Sequence, residues 1–239
     1  DSSTSRGLGD VYKRQVLEWV KQHVLDGCPK EESTCVTCGL FLTYAQMLDG
    51  TVGRGDRVPV LAARRSAVGD EFRHGQHCVV SFADCFFDKA RDQEVAAGRY
   101  EWWGGLQSTS AVATHVERLF GFVQETRKRC LECHGPVRSW YQSERVLRVT
   151  PLVKGGGALS MSELYFAACA RQLAQDPVEC PHCLASRGPT RHEEQVRMLT
   201  VPNVLVIQVT RAPGPRVPVA VEQQLDVLGG PGMELIGVG

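Results

Sequence analysis

The chain is 239 residues long, and its 27 basic and 27 acidic residues cancel to no formal net charge. That length can bury a substantial core without covalent staples, and a balanced charge supplies no global field to draw in nucleic acid or an anionic membrane. No apolar run approaches the roughly 18 to 20 residues of a bilayer span and no signal-like segment opens the chain, so a cytoplasmic or nuclear protein is expected, with neither nucleic acid nor membrane as partner.

Residues 1–15, "DSSTSRGLGDVYKRQ", are Ser- and Gly-rich, lack apolar periodicity and resemble a translated cloning scar, so they are expected to be non-native or disordered and the chain to be a fragment. Val16, Leu17, Val20 and Val24 then recur at helical spacing. A second helix is expected in "STCVTCGLFLTYAQML", capped by Ser33 or Thr34, with Leu40, Phe41, Tyr44, Met47 and Leu48 on one face. "GTVGRGDRVPV" reads as loop, Ser81 to Gln93 as a third helix, and "AAGRYEWWGGLQSTS" as a mobile or insertion-like loop.

From Thr114 the texture changes. "VERLFGFVQETRKRCLEC" and "SERVLRVTPL" alternate and carry β-branched residues, as strands do. "LSMSELYFAACARQLAQD" is helical, with a Ser160/Glu163 capping-box pattern and Met161, Leu164, Tyr165, Ala168 and Cys169 on one face. Val204 to Val209 reads as a buried strand. Residues 16–113 are thus expected to form a helical part and 114–239 a β-rich part, an α+β architecture.

Two Cys-x-x-Cys knuckles, Cys130/Cys133 and Cys180/Cys183, stand 46 residues apart. A compact zinc ribbon separates its pairs by about 15 to 20 residues, so tertiary structure has to bring these together. Two such pairs are the ligand set of a closed tetrahedral zinc site. A reducing compartment disfavours disulfides, and a thioredoxin-like centre needs no second copy, while four unrelated buried thiols would share this spacing only by accident. The reading is a structural zinc ion held by Cys130, Cys133, Cys180 and Cys183. His134 and His182, beside these ligands, could substitute for one of them, but adjacent residues usually point away, so both are read as exposed or supporting residues.

The earlier cysteines are more ambiguous. His23, Cys28, Cys35 and Cys38 would complete a second four-ligand set, but Cys at i and i+3 in a first helical turn is also ordinary core packing. Cys78, Cys85 and Cys169 read as small buried hydrophobes. Cys35, at a helix start near His23, is the best geometric candidate for a nucleophile. No phosphate loop, carboxylate pair or triad signature accompanies it.

These residues resemble a family. From about Cys28 to Gly239 the chain is similar to the ubiquitin-specific proteases, papain-like thiol proteases built as thumb, palm and fingers. "LFGFVQETRKRCLEC" looks like the family's strand leading to its first knuckle, "SERVLRV" like the next strand, "LSMSELYFAACARQL" like its connecting helix, "PVECPHC" like its second knuckle, and "MLTVPNVLVIQVTR" like its Pro-x-Val-Leu strand. "CVTCGLFLTYAQML" and "EFRHGQHCVVSFADCFFDKARD" resemble thumb segments more loosely. The resemblance implies zinc at the tip of the fingers, remote from the scissile bond, with ubiquitin and ubiquitinated proteins as partners.

Departures temper it. Asp84 and Cys85 stand where His-Glu is usual, and "VTRAP" keeps only Arg211 of a usual Lys-Arg-Phe. The family's nucleophile segment and its catalytic His segment are expected to fall beyond the two ends, which leaves this chain with no catalytic residue and predicts inactivity of the fragment. A non-catalytic ubiquitin-binding scaffold of the same fold, or an unrelated zinc-ribbon interaction domain, are the alternatives.

Overall fold

A computed structural model of the chain describes residues 3–28, 34–51, 67–73, 78–102, 112–150, 159–174, 178–183, 188–210, 218–220, 224–225 and 233–234. Helix and sheet are mixed in two units, one made of Asp1–Trp103 and Val112–Leu119, the other of Gly104–Ala111 and Phe120–Gly239. No described helix is long and apolar enough to cross a membrane.

The first unit is built on α1 (Ser3–Leu25), α2 (Val36–Leu48) and α3 (Val79–Ala96), with a short antiparallel pair, β1 (Glu101–Trp102) and β2 (Val112–Ala113), before α4 (His115–Phe120). Helix α1 starts at Ser3, well before the expected Val16. Once a turn is nucleated, each added residue gains a backbone hydrogen bond without needing an apolar pattern. The buried face also differs: Trp19, Val20 and His23 point inward and Val24 is exposed. Trp19 goes in because its indole Nε1 donates to Glu94 Oε1 at 2.6 Å, which satisfies both polar groups. The Glu94 carboxylate is also met by His115 Nδ1 at 3.5 Å and by the Val116 amide at 3.4 Å.

Two further expectations change here. Helix α2 is capped by Cys35, not Ser33 or Thr34; among its described side chains Val36, Thr37, Cys38 and Thr43 are buried and Leu40 and Phe41 half-buried, while the side chains of Tyr44, Met47 and Leu48 lie outside the described residues. "VERLF", read as strand, is helix α4. Thr114 and Glu117 cap it reciprocally, the Thr114 amide donating to Glu117 Oε2 at 3.2 Å and the Glu117 amide to Thr114 Oγ1 at 3.4 Å, a device that overrides β-propensity at a helix start.

The second unit contains β3 (Phe122–Cys130), β4 (Pro136–Glu144), β5 (Val146–Val149), β6 (Leu159–Ser160), α5 (Met161–Cys169), β7 (Gln172–Leu173), β8 (His192–Met198), β9 (Val206–Val209) and β10 (Val219–Ala220). Strands β4, β3, β8 and β7 form one antiparallel sheet in that order, while β5 pairs parallel with β9 and β6 with β10. Strands β11 (Gln224–Leu225) and β12 (Met233–Glu234) make a further antiparallel pair.

The Ser160/Glu163 capping box is present, with the Glu163 amide 3.1 Å from Ser160 Oγ and the Ser160 amide 2.7 Å from Glu163 Oε2. Its helix ends at Cys169, short of the run read from sequence, because Ala170 turns extended and Gln172 Nε2 takes the Ala167 carbonyl at 3.0 Å. Met161, Leu164 and Tyr165 pack with Phe122, Leu147, Val149 and Met198 as the core of this unit. The expected strand at Val204 begins only at Val206 and is half-buried along its length.

Leu164, 1% exposed at the centre of this core, should cost about 2–5 kcal/mol when cut to Ala. Leu173→Ala, at an exposed position on β7, should stay within about 0.5 kcal/mol. Urea unfolding followed by circular dichroism compares the two.

Candidate metal centre

Strand β3 delivers Cys130 at its last residue, and the turn that follows carries Cys133 before β4 begins. The second knuckle is bracketed by a bridge between Val178 and Thr190, which holds Cys180 and Cys183 over the same sheet end. All four Sγ atoms lie within 4.8 Å of one another. Cys130 and Cys183 sulfurs are 3.7 Å apart, and those of Cys133 and Cys180 are 3.6 Å apart. A tetrahedral ion with metal–sulfur bonds of about 2.3 Å sets its sulfurs about 3.8 Å apart, whereas a disulfide needs about 2.05 Å. All the cysteines are free thiols. The spacing therefore suits four donors around one ion.

Backbone amides aim at these sulfurs. The Glu132 amide donates to Cys130 Sγ and the Gly135 amide to Cys133 Sγ, each at 3.4 Å. Such bonds favour the thiolate: the Cys133 amide foremost, with help from Glu132 and Thr190, holds the Cys130 thiol down to about 6. Cys183 is pushed up to about 12, first by its hydrogen bond with Cys133. Four sulfurs this close cannot all ionise until a cation shares their charge.

The turn is shaped for this. His134 adopts a left-handed φ of 57°, and its carbonyl accepts from Arg129 Nε at 2.7 Å while the Cys130 amide donates to the Gly135 carbonyl at 3.0 Å. A Cβ at Gly135 would sit 2.9 Å from His182 Cδ2 and 3.3 Å from Cys133 Sγ. Glycine there is what lets the two knuckles approach. His134 and His182 themselves are exposed.

Sequence reasoning missed two supporting residues. Thr190 Oγ1 lies 3.6 Å from Cys130 Sγ and 3.1 Å from His192 Nε2. His192 sits opposite Cys130 in the β3–β8 register and is fully buried, with Nδ1 unpartnered. The available signal was the two-residue alternation of Thr190 and His192 after the second knuckle, which puts both on one face.

The first unit gathers a second group. His23, Cys28, Cys35 and Cys38 offer donor atoms all within 4.8 Å of one another. Cys35 caps α2 and its sulfur accepts the Cys38 amide at 3.5 Å, while His23 Nε2 stands 3.1 Å from it. A thiol and an imidazole at that distance have nucleophile–base geometry, yet Cys35 is wholly buried. Burial pushes the Cys35 and Cys38 thiols up and the His23 imidazole down, the reverse of an activated pair.

Cys78, expected to be buried, is exposed at the N-terminus of α3, where the Ser81 and Val80 amides lower its thiol. Cys85 and Cys169 are half-buried. Asp84 and Cys85 both lie on α3, and Arg211 falls outside the described residues.

No family model matches the chain, and no curated protein matches it by sequence. Among solved structures, it is similar to a chain of the SAGA DUB module, Ubp8 with Sgf11, Sus1 and Sgf73, bound to monoubiquitin. That match has a TM-score of 0.59 at 14% identity and covers 83% of this chain and 43% of that one. The likeness is one of fold. The chain spans less than half the length of the structure it matches.

Because a lowered thiol is more fully ionised at a given pH, iodoacetamide at neutral pH should mark Cys78 before Cys35 and Cys38, and its labelling rate should rise at a lower pH than that of a free thiol. Peptide mass mapping of a time course reads the order.

Proposed function

We propose that this chain is part of a ubiquitin-specific protease domain, in which a zinc ion held by Cys130, Cys133, Cys180 and Cys183 shapes a β finger that grips ubiquitin. The observation that carries the reading is the convergence of those four sulfurs at one end of the four-stranded sheet, in a fold similar to a module solved with monoubiquitin bound. The ion supplies cross-linking at the tip rather than chemistry, because four protein donors close its coordination sphere. Thr190 and His192 orient Cys130 from behind.

On this reading the protease chemistry, a thiolate attacking the carbonyl that joins ubiquitin to its target, belongs to other segments of the parent protein. Cys35 is too buried to act as that thiolate. A second reading, a ubiquitin-binding scaffold whose parent does not cleave, draws on Asp84 and Cys85 standing where the family places His-Glu. The coding sequence on either side decides between them: a Cys-bearing segment before and a His segment after favour the enzyme.

Thr190→Val should weaken zinc binding at the finger by about 10–100-fold, measured by competition with a chromophoric chelator; unchanged affinity removes Thr190 from the site. Labelled ubiquitin titrated with the chain should show saturable binding, weakened at least tenfold by Cys130→Ser with Cys183→Ser. Absence of binding by the wild-type, zinc-loaded protein overturns the reading. A ubiquitin vinyl-sulfone probe should leave the chain unlabelled, and stoichiometric labelling of Cys35 would assign it the nucleophile's role after all.

A further inference from the structure

We infer that the first unit holds a metal ion of its own, a zinc bound by His23, Cys28, Cys35 and Cys38, distinct from the finger site and independent of the ubiquitin reading. The donors come from three pieces of chain. His23 lies in the last turn of α1, Cys28 follows the turn that ends it, and Cys35 and Cys38 open α2. Gly27, at a left-handed φ of 75°, reverses the chain after α1, and that reversal returns Cys28 to the imidazole of His23, which precedes it in the last turn of the helix.

Core packing alone does not account for the arrangement. Apolar packing has no reason to converge four electron-donating atoms within 4.8 Å, nor to bury an imidazole and two thiols to 5%, 0% and 7% exposure at the end of a helix. Three thiols and one imidazole are a closed zinc donor set, and the x-x spacing of Cys35 and Cys38 repeats that of the finger knuckles.

The backbone is arranged as at the finger. The Cys38 amide reaches Cys35 Sγ, and the N-terminus of α2 adds its own favourable field for bound thiolate. Gln93 Oε1 lies 3.5 Å from Cys35 Sγ, and it also accepts the Val36 amide at 3.2 Å, so it keeps a partner when the thiol loses its proton.

Ligation through His23 Nε2 places the ring proton on Nδ1. Arg99 Nη1 is 3.4 Å from that atom, but the Arg99 guanidinium is otherwise occupied by the carbonyls of His23, Asp26 and Gly27 at 3.4, 3.2 and 2.6 Å. A tetrahedral zinc with one nitrogen and three sulfur donors separates nitrogen from sulfur by about 3.6 Å. The imidazole therefore needs to withdraw by about half an ångström from its 3.1 Å contact.

The ion would fasten the end of α1 to the start of α2. It would also hold Cys35 as a ligand, out of reach of electrophiles.

The test uses the full chain, purified without a metal-binding tag and dialysed free of loose zinc. Elemental analysis should find two zinc ions per chain in the wild type. One should remain in Cys130→Ser with Cys183→Ser, and one in His23→Ala with Cys38→Ser. Zinc X-ray absorption of the finger variant should then show sulfur plus imidazole scattering, which a four-sulfur site cannot give.

A single zinc in the wild type, lost with the finger cysteines, overturns the proposal. So does a disulfide among Cys28, Cys35 and Cys38 in protein kept under reducing conditions. If one variant fails to fold, the wild-type stoichiometry and the other variant still decide.

Discussion

The pairing of β3 with β8 sets Cys130 and His192 at the end of the sheet where the four sulfurs meet. Its register runs unbroken from Gln124 opposite Met198 to Cys130 opposite His192. In a strand, a slip of one residue turns every side chain to the other face. Here such a slip would take Cys130 away from its partners and His192 out of the interior together. Phe122 and Cys130 lie eight residues apart on β3, hence on the same face and separated by about 27 Å. Phe122 is locked in the core at one end, and that anchor fixes the orientation of the sulfur at the other.

Across the sheet the constraint is looser. The β3–β4 ladder shifts register between Lys128 and Arg129, a bulge that turns the chain toward the knuckle. Below it, Lys128 stands 3.3 Å from Glu194, and the Trp140 ring lies beneath the cations of Lys128 and Arg138 at 5.6 and 5.5 Å. These contacts, among half-buried side chains and the exposed Arg138, are weak singly. They matter as a lattice that keeps the strands in register next to the irregular tip.

The meeting of Cys130, Cys133, Cys180 and Cys183 was legible because paired Cys-x-x-Cys spacing is written locally in the chain, and the Ser160/Glu163 box because a cap is set by residues three apart. What escaped depended on partners far away in sequence. Trp19 is buried for the sake of Glu94, and the cap of α2 fell to Cys35 because its sulfur finds the Cys38 amide and His23. Thr114 and Glu117 carried a readable cap, masked by β-branched neighbours that suggested a strand. Thr190 and His192 carry no motif beyond their two-residue alternation; the Val178–Thr190 bridge and the β8 register place them beside Cys130.

The two sulfur clusters differ in how far along the chain they reach. Cys130 meets Cys183 across 53 residues, whereas His23 meets Cys35 across 12. Loop closure costs about 0.6 kcal/mol more for each doubling of length, so the wider cluster starts about 1.3 kcal/mol behind. On a chain emerging from the ribosome the difference becomes one of sequence in time. The helical cluster is complete once residue 38 is free, while the knuckle cluster waits for Cys183 and the strand after it, leaving Cys130 and Cys133 without their partners while the intervening chain is made.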